Sequence, residues 1–250
     1  MIEFLAILQA RMNSSRLPGK IMLNLNGAPM ISRQIARIKK SKLISELIVA
    51  TSSDKSDDIL ADFLTSIGVD FIRGDMDDVL SRFISIIDLK KPKAIIRLTA
   101  DCPLVMPELI DVMISEFRKH QPDYLSNTLQ PTFPDGLDIE IVSSEALNKL
   151  CKLSLTSAEK EHVTLGIYSR PSEFSLLNFR SSNNLEQERW TVDYMDDYIF
   201  ISEIYKHFQG KEDEFNFTDV LKLIKDQPIL KNKLGNEFRN ISLRIEGNIE

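Results

Sequence analysis

Phe4-Leu5-Ala6-Ile7-Leu8-Gln9-Ala10-Arg11-Met12-Asn13-Ser14-Ser15-Arg16-Leu17-Pro18-Gly19-Lys20 runs from an unbroken apolar segment straight into a cationic loop, and that junction decides the fold. The apolar run from Phe4 to Leu8 predicts a strand buried on both faces. The loop after it places Arg11, Arg16 and Lys20 among hydroxyls and a Pro-Gly pair. Backbone amides and hydroxyls can donate to phosphate oxygens there while the cations neutralise their charge. An ordinary basic turn has the same composition, so both readings stand on these residues alone. The loop is not a Walker A motif: Lys20 is followed by Ile21, where that motif needs Ser or Thr.

Working outward, Pro29 opens a helical pattern with Ile31, Ile35 and Ile38 on one face and Arg33, Arg37 and Lys39 on the other. Glu46–Thr51 predicts a second strand. Ile59, Leu60, Phe63, Leu64 and Ile67 recur at helical spacing before Gly68. Residues 69–72 predict a third strand, Val79 to Ile87 a helix, and residues 93–98 a fourth strand ending at Asp101-Cys102-Pro103. Alternating strands and helices predict a mostly parallel, Rossmann-type α/β sheet with helices on both faces. Ligands of such sheets bind beyond the carboxyl ends of the strands, where the polar turns after strands one, three and four are expected to converge. No GxGxxG follows the first strand, so a dinucleotide site is not expected.

The chain has 250 residues, 43% hydrophobic and 27% charged, which suits one large or two small globular domains. Its formal charge of −6 argues against duplex nucleic acid as a partner. No apolar run reaches the roughly 18 residues of a membrane-spanning helix. The N-terminus enters a strand without a basic segment and cleavable apolar stretch, and the cysteines have no CxxC spacing, so a cytoplasmic protein is expected.

Beyond Asp123 the rhythm changes. Residues 137–142 alternate as a strand, helices are expected over 144–150, 157–168, 196–208 and 219–225, and further strands over 174–179 and 190–193. Asp101 and Asp193 both end predicted strands, a pair suited to a hard cation such as Mg²⁺ that keeps waters and binds substrate phosphates. Each could equally cap the helix that follows it. Arg73, Asp78 and Arg82 could meet a nucleoside, or Asp78 and Arg82 could form an i,i+4 pair. Asp138 and Glu140 share a strand face and could hold a polyol or a metal, or form the wet side of an edge strand. His162 is a ligand or base candidate, or a structural histidine.

The Gln9–Lys20 loop resembles the signature of the CMP-sugar synthetases, the cytidylyltransferases that activate octulosonate and acylneuraminate sugars. The spore-coat polysaccharide type is similar in Arg73-Gly74-Asp75-Met76-Asp77-Asp78, Asp101-Cys102-Pro103-Leu104, Ser126-Asn127-Thr128, Pro134-Asp135-Gly136-Leu137-Asp138-Ile139-Glu140, Glu161-His162-Val163-Thr164 and Arg189-Trp190-Thr191-Val192-Asp193. This resemblance covers about residues 3 to 210. It implies a GT-A-like fold, CTP as donor, Mg²⁺ as cofactor and transfer of CMP to an acidic sugar with release of pyrophosphate, for surface polysaccharide biosynthesis. Gln9, Ala10, Arg11, Ser15, Arg16, Lys20, Arg73, Asp78 and Arg82 would bind the nucleotide, with Arg11, Lys20 and Asp101 catalytic. Asp101 and Asp193 would hold the metal, and Asp138, Glu140 and His162 the sugar. The resemblance further implies a nucleotidyltransferase domain over 1–210, with a sugar-binding and dimerisation subregion over 123–180, and a homodimer; the residues beyond that domain, 211–250, are read from their own pattern as a C-terminal helical extension and tail. A sugar-1-phosphate nucleotidyltransferase, a GT-A glycosyltransferase and a non-catalytic nucleotide-binding protein are the alternatives. Two departures bear on the sugar: Tyr194-Met195 stands where many relatives carry a Pro two residues after the second aspartate, and Ala100-Asp101-Cys102-Pro103 replaces the Gly-Asp-Glu-Pro of the octulosonate enzymes.

Overall fold

In a computed structural model, which describes residues 2–233, the first apolar run becomes β1 (Phe4–Gln9), the centre of a sheet. The loop ends in a single 3₁₀ turn at Lys20–Met22, then a small hairpin of β2 (Asn24–Leu25) and β3 (Ala28–Pro29) leads into α1 (Met30–Ile38). β4 (Glu46–Ser52), α2 (Asp58–Ser66), β5 (Phe71–Gly74), α3 (Val79–Lys90), β6 (Ala94–Thr99) and α4 (Pro107–His120) complete the alternating half. β7 (Tyr124–Ser126), β8 (Glu140–Ser143), α5 (Ser144–Leu150), α6 (Ser157–Glu161), α7 (Leu165–Tyr168), β9 (Leu176–Asn178), α8 (Met195–His207) and α9 (Phe217–Asp226) follow. The seven strands of the main sheet lie in the order β5-β4-β1-β6-β8-β7-β9. Pairing is parallel except at β8, which runs antiparallel to both β6 and β7.

β1 is apolar at both parities because both sheet faces are covered. Phe4, Ala6 and Leu8 face one apolar layer with α1, α4, α8 and α9. Leu5 and Ile7 face the other, with α3, α5 and α7. Helices therefore flank both faces, as expected. Val220, Leu223 and Ile224 of α9, within the expected C-terminal extension, pack into the first of these layers. The remainder of that extension, 234–250, lies outside the described residues. Among the described residues no helix is long and apolar enough to cross a membrane.

Several local expectations fail for identifiable reasons. The helix expected over 157–168 breaks into α6 and α7 around Val163, whose φ is 52°. The strand expected over 190–193 joins no ladder. It is held instead by Trp190 N–H to Asp135 O at 2.6 Å and Val192 N–H to Asp101 O at 2.8 Å. Gly136 permits this close approach: with φ +106°, a Cβ there would lie 2.4 Å from Thr191 N. Ile59 and Ile67 belong to the expected apolar stripe of α2 but are exposed, the helix burying Leu60, Ala61 and Leu64. Arg37, expected on the polar face of α1, is buried, donating to Val105 O and Phe215 O and lying 4.0 Å over the Phe215 ring. The 212–215 segment covers that face, which no helical period of α1 could reveal. The edge-strand reading also fails: Glu140 opens β8, which is paired on both sides, and Asp138 precedes β8 outside any strand.

Candidate active site

The order β5-β4-β1-β6 places β1 and β6 side by side, so the loops leaving their carboxyl ends border one crevice, of about 540 Å³. In the β1 loop, the Met12 carbonyl accepts from Ser14 N–H at 3.0 Å and from Gly19 N–H at 2.9 Å, folding the loop on itself. Met12 N–H donates to Asp57 Oδ1 at 2.6 Å. Asp57 is fully buried and takes further hydrogen bonds from the Thr51 hydroxyl and the Ser52 amide and hydroxyl. The cationic β1 loop is thus tied to the end of the neighbouring strand by one carboxylate. Gly19 at φ 72° then turns the chain into the 3₁₀ turn that carries Lys20.

Lys20 Nζ lies 2.8 Å from Asp193 Oδ1 and 3.3 Å from Asp101 Oδ2, bridging the two carboxylates. Asp101 Oδ1 accepts the Thr99 hydroxyl at 2.6 Å, and its carbonyl takes Val192 N–H at 2.8 Å and the Thr191 hydroxyl at 3.2 Å. Those bonds bring the 190–193 segment to the end of β6 and so set the aspartates beside each other. Burial opposes charge on Asp101, but Lys20 and the Thr99 and Cys102 hydrogen bonds outweigh it and hold its pKa down at about 2. Burial likewise opposes charge on Lys20, and the fields of Asp101 and Asp193 raise its pKa above the ordinary value. Neither aspartate serves as a helix cap: the N-cap of α4 is Met106 and that of α8 is Tyr194, whose amide is taken by Asp197.

Asp193 has two further cations, Arg16 at 2.9 Å and Arg189 at 3.4 Å. Arg189 is nearly buried, pairs with Asp197 at 2.9 Å and Asp135 at 3.1 Å, and Asp197 in turn accepts Asp193 N–H at 2.9 Å. Burial works against the Arg189 charge, but the Asp197 hydrogen bond and the surrounding carboxylates raise its pKa. Arg11 and His162 also line the crevice, and Arg11 reaches across it to Glu161 at 3.6 Å.

The structure gathers Gln9, Ala10, Arg11, Ser15, Arg16, Lys20, Arg82, Asp101, His162 and Asp193 around this crevice. It does not bring Arg73, Asp78, Asp138 or Glu140 to it. Arg73 donates to the carbonyls of Ser52 and Asp54 at 2.8 Å and pairs with Asp58 at 2.7 Å. Asp78 caps α3 through Ser81 N–H at 3.0 Å and pairs with Lys160 at 3.3 Å. The reason is sheet order: the third strand, β5, lies at the sheet edge with β4 between it and β1. Only Arg82 reaches inward. It donates to Asp75 O at 2.7 Å and Met76 O at 2.6 Å, and it packs on Gly74, where a Cβ would sit 2.7 Å from Arg82 Cγ. Burial, then the nearby Arg11 charge, lowers the Arg82 pKa. Glu140 pairs with Arg97 at 2.9 Å and accepts the Thr164 hydroxyl at 2.6 Å.

Sequence reasoning missed Asp57, Thr99, Arg189 and Asp197. The i,i+4 spacing of Arg189, Asp193 and Asp197 was the available signal for two of them. Asp57 gave none, since its partner at Met12 is distant in sequence.

A divalent cation fits the chemistry of this donor set, since two hard carboxylates already converge on one ammonium group. Among the described residues no group of three or more His, Cys, Asp or Glu side chains is placed to hold a metal. Asp101 and Asp193 would therefore need phosphate oxygens and waters to complete a coordination shell.

A cytidylyltransferase family model matches residues 5–232. The spore coat polysaccharide biosynthesis protein SpsF of Bacillus subtilis is 32% identical over 235 residues, covering 91% of this chain and 96% of that protein. The 8-amino-3,8-dideoxy-manno-octulosonate cytidylyltransferase of Shewanella frigidimarina is 31% identical over 126 residues, 49% of this chain and 51% of that enzyme. The solved structure of a cytidylyltransferase from Leptospira borgpetersenii superposes with a TM-score of 0.88 at 28% identity, covering 95% of this chain and all of that one.

Proposed function

The chain belongs to the cytidylyltransferase family, and from that premise we propose that it transfers CMP from CTP to an acidic sugar. The oxygen of a sugar hydroxyl attacks the α-phosphorus, the α–β phosphoanhydride bond breaks, pyrophosphate leaves and the hydroxyl proton is released. One observation carries the reading: the cations of the β1 loop and the carboxylates after β6 and at 193 meet in one crevice. Arg11, Arg16 and Lys20 take up charge on the departing pyrophosphate, exchanging their carboxylate partners for phosphate oxygens. Asp101 and Asp193 would hold Mg²⁺, which when bound polarises the α-phosphate and orients the attacking oxygen. Arg82, anchored by the Asp75 and Met76 carbonyls, presents its guanidinium to the nucleoside end. The likeness to an octulosonate cytidylyltransferase supports an acidic sugar as acceptor, and the likeness to SpsF supports surface polysaccharide biosynthesis as the setting.

The test is pyrophosphate release from CTP and Mg²⁺ with a panel of acidic sugars, run beside sugar 1-phosphates. Release should require CTP and an acidic sugar, and Asp101→Asn should abolish it while the far-ultraviolet circular dichroism stays native. Release with sugar 1-phosphates instead would favour the pyrophosphorylase reading, and full turnover in Asp101→Asn would overturn the role of that carboxylate.

A further inference from the structure

Arg97 on β6 and Glu140 on β8 stand directly opposite each other. Their side chains are nearly buried and joined at 2.9 Å, and neither lines the crevice. From each, however, a hydrogen bond leads towards it. Arg97 Nη2 donates to Gln9 Oε1 at 3.0 Å. A guanidinium has only donors, so this contact fixes which way the Gln9 amide faces: oxygen towards Arg97, NH₂ away from it. Gln9 itself lines the crevice.

On the other side, Glu140 Oε2 accepts the hydroxyl of the buried Thr164 at 2.6 Å. Thr164 closes a tight turn by donating its N–H to His162 O at 2.5 Å, with Val163 at φ 52° between them. A β-branched residue in the left-handed region is strained, and such strain persists only where the surroundings over-determine it. The Thr164–Glu140 bond supplies that restraint, and His162, on the near side of the turn, lines the crevice. One buried ion pair therefore holds two crevice residues contributed by distant segments.

We propose that Arg97 and Glu140 are a positioning pair for the acceptor, holding Gln9 and His162 against an anionic, oxygen-rich sugar. This rests on the CMP-transfer reading. The triphosphate cations Arg16 and Lys20 lie with Asp193, whereas Gln9, which the family resemblance would give to the nucleotide, we assign to the acceptor because it adds neutral N–H donors suited to a carboxylate or hydroxyl. Glu140 acts through Arg97 and Thr164 rather than by touching the sugar.

Arg97→Met and the milder Thr164→Val test this. Each should raise KM for the acidic sugar that supports turnover by about tenfold, with kcat changed by less than about threefold. CTP affinity by calorimetry should not move. The chain has three histidines, so the ¹³C-labelled His162 ring signal can be assigned by substituting His120 and His207. That signal, one sharp line in the parent, should shift or broaden in both variants. Val163→Gly should leave the melting temperature unchanged or raised while still raising the acceptor KM, which a merely structural role would not do. An unchanged acceptor KM and His162 signal in Arg97→Met and Thr164→Val, or an equal loss of CTP affinity, would overturn the proposal. If no acidic sugar supports pyrophosphate release by the parent protein, the CMP-transfer reading fails, and the His162 signal still decides the positioning role.

Discussion

On the β1 side of the crevice, opposite charges meet directly: Lys20 between Asp101 and Asp193, with Arg16 and Arg189 behind. On the α6 side, short helices and a strained turn are held at one remove, through Thr164, Glu140 and Arg97. The first wall has strong fields and firm strands beneath it. The second depends on single hydrogen bonds between short elements. A highly charged triphosphate needs electrostatic stabilisation wherever its charge develops, while an acceptor needs a shaped surface. On the proposed reading the two substrates are served by different physics, and each prediction below strikes one wall.

The largest effect should come from the charged wall. Asp193→Asn keeps the shape of the carboxylate but removes its charge from Lys20, Arg16 and Arg189. A loss of about 10³-fold in kcat is expected, measured by pyrophosphate release, the scale of removing one strong electrostatic contact in the transition state. A loss below about tenfold would mean that Asp101 alone carries the charge.

Next comes the loop anchor. Asp57→Ala leaves Met12 N–H, the Ser52 amide and the Thr51 hydroxyl without their buried acceptor. Destabilisation by about 2–3 kcal/mol in urea unfolding is expected, together with weaker CTP binding. Asn127→Ala belongs to the softer half. Its side chain donates to Leu137 O at 2.8 Å and accepts Ile139 N–H at 2.9 Å, setting the entry into β8. It should cost about 1–2 kcal/mol of stability and affect acceptor KM more than CTP affinity. Equal effects on both substrates would erase the distinction between the walls.

The same contrast explains what could be read from the sequence. β1 and the middle of β4 are continuous apolar runs and β6 is interrupted only by Arg97, because both faces of these strands are covered, so composition alone located them. The β1 loop was legible because its cations lie together in sequence. Legibility failed where partners are distant or the backbone is irregular. Arg37 looked solvated because its cover, 212–215, comes from the other end of the chain. Residues 190–193 looked like a strand because apolar and polar side chains alternate there, yet their hydrogen bonds go to Asp101 and Asp135. Arg73 and Asp78 were assigned to the crevice on the order of strands in sequence, whereas their order in space puts β5 at the edge. The break at Val163 lay within a helical period and could be seen only from the tether at Thr164.

The smallest expected effect tests the softer wall through pH. α6 begins with a capping box in which the Glu159 carboxylate accepts Thr156 N–H at 2.8 Å and pairs with Arg170 at 2.5 Å. Burial disfavours its charge, but the Arg170 and Thr156 hydrogen bonds prevail and lower its pKa. An unfolded glutamate titrates near 4.3, so between that value and the lowered one the unfolded chain binds the extra proton. Stability from this group is therefore complete above about pH 4.3 and is lost as the pH falls through the folded value. Glu159→Gln should lower stability by about 1 kcal/mol at pH 7, a gap that closes as the pH falls below about 4.3 and the parent carboxylate takes up its proton. Thermal melts of the two proteins across that range measure it. Because α6 leads directly into His162, Glu159→Gln should also raise the acceptor KM at pH 7 while CTP affinity, set on the other wall, does not move. An equal loss of both affinities in Glu159→Gln would show that the two walls are coupled rather than separately supported.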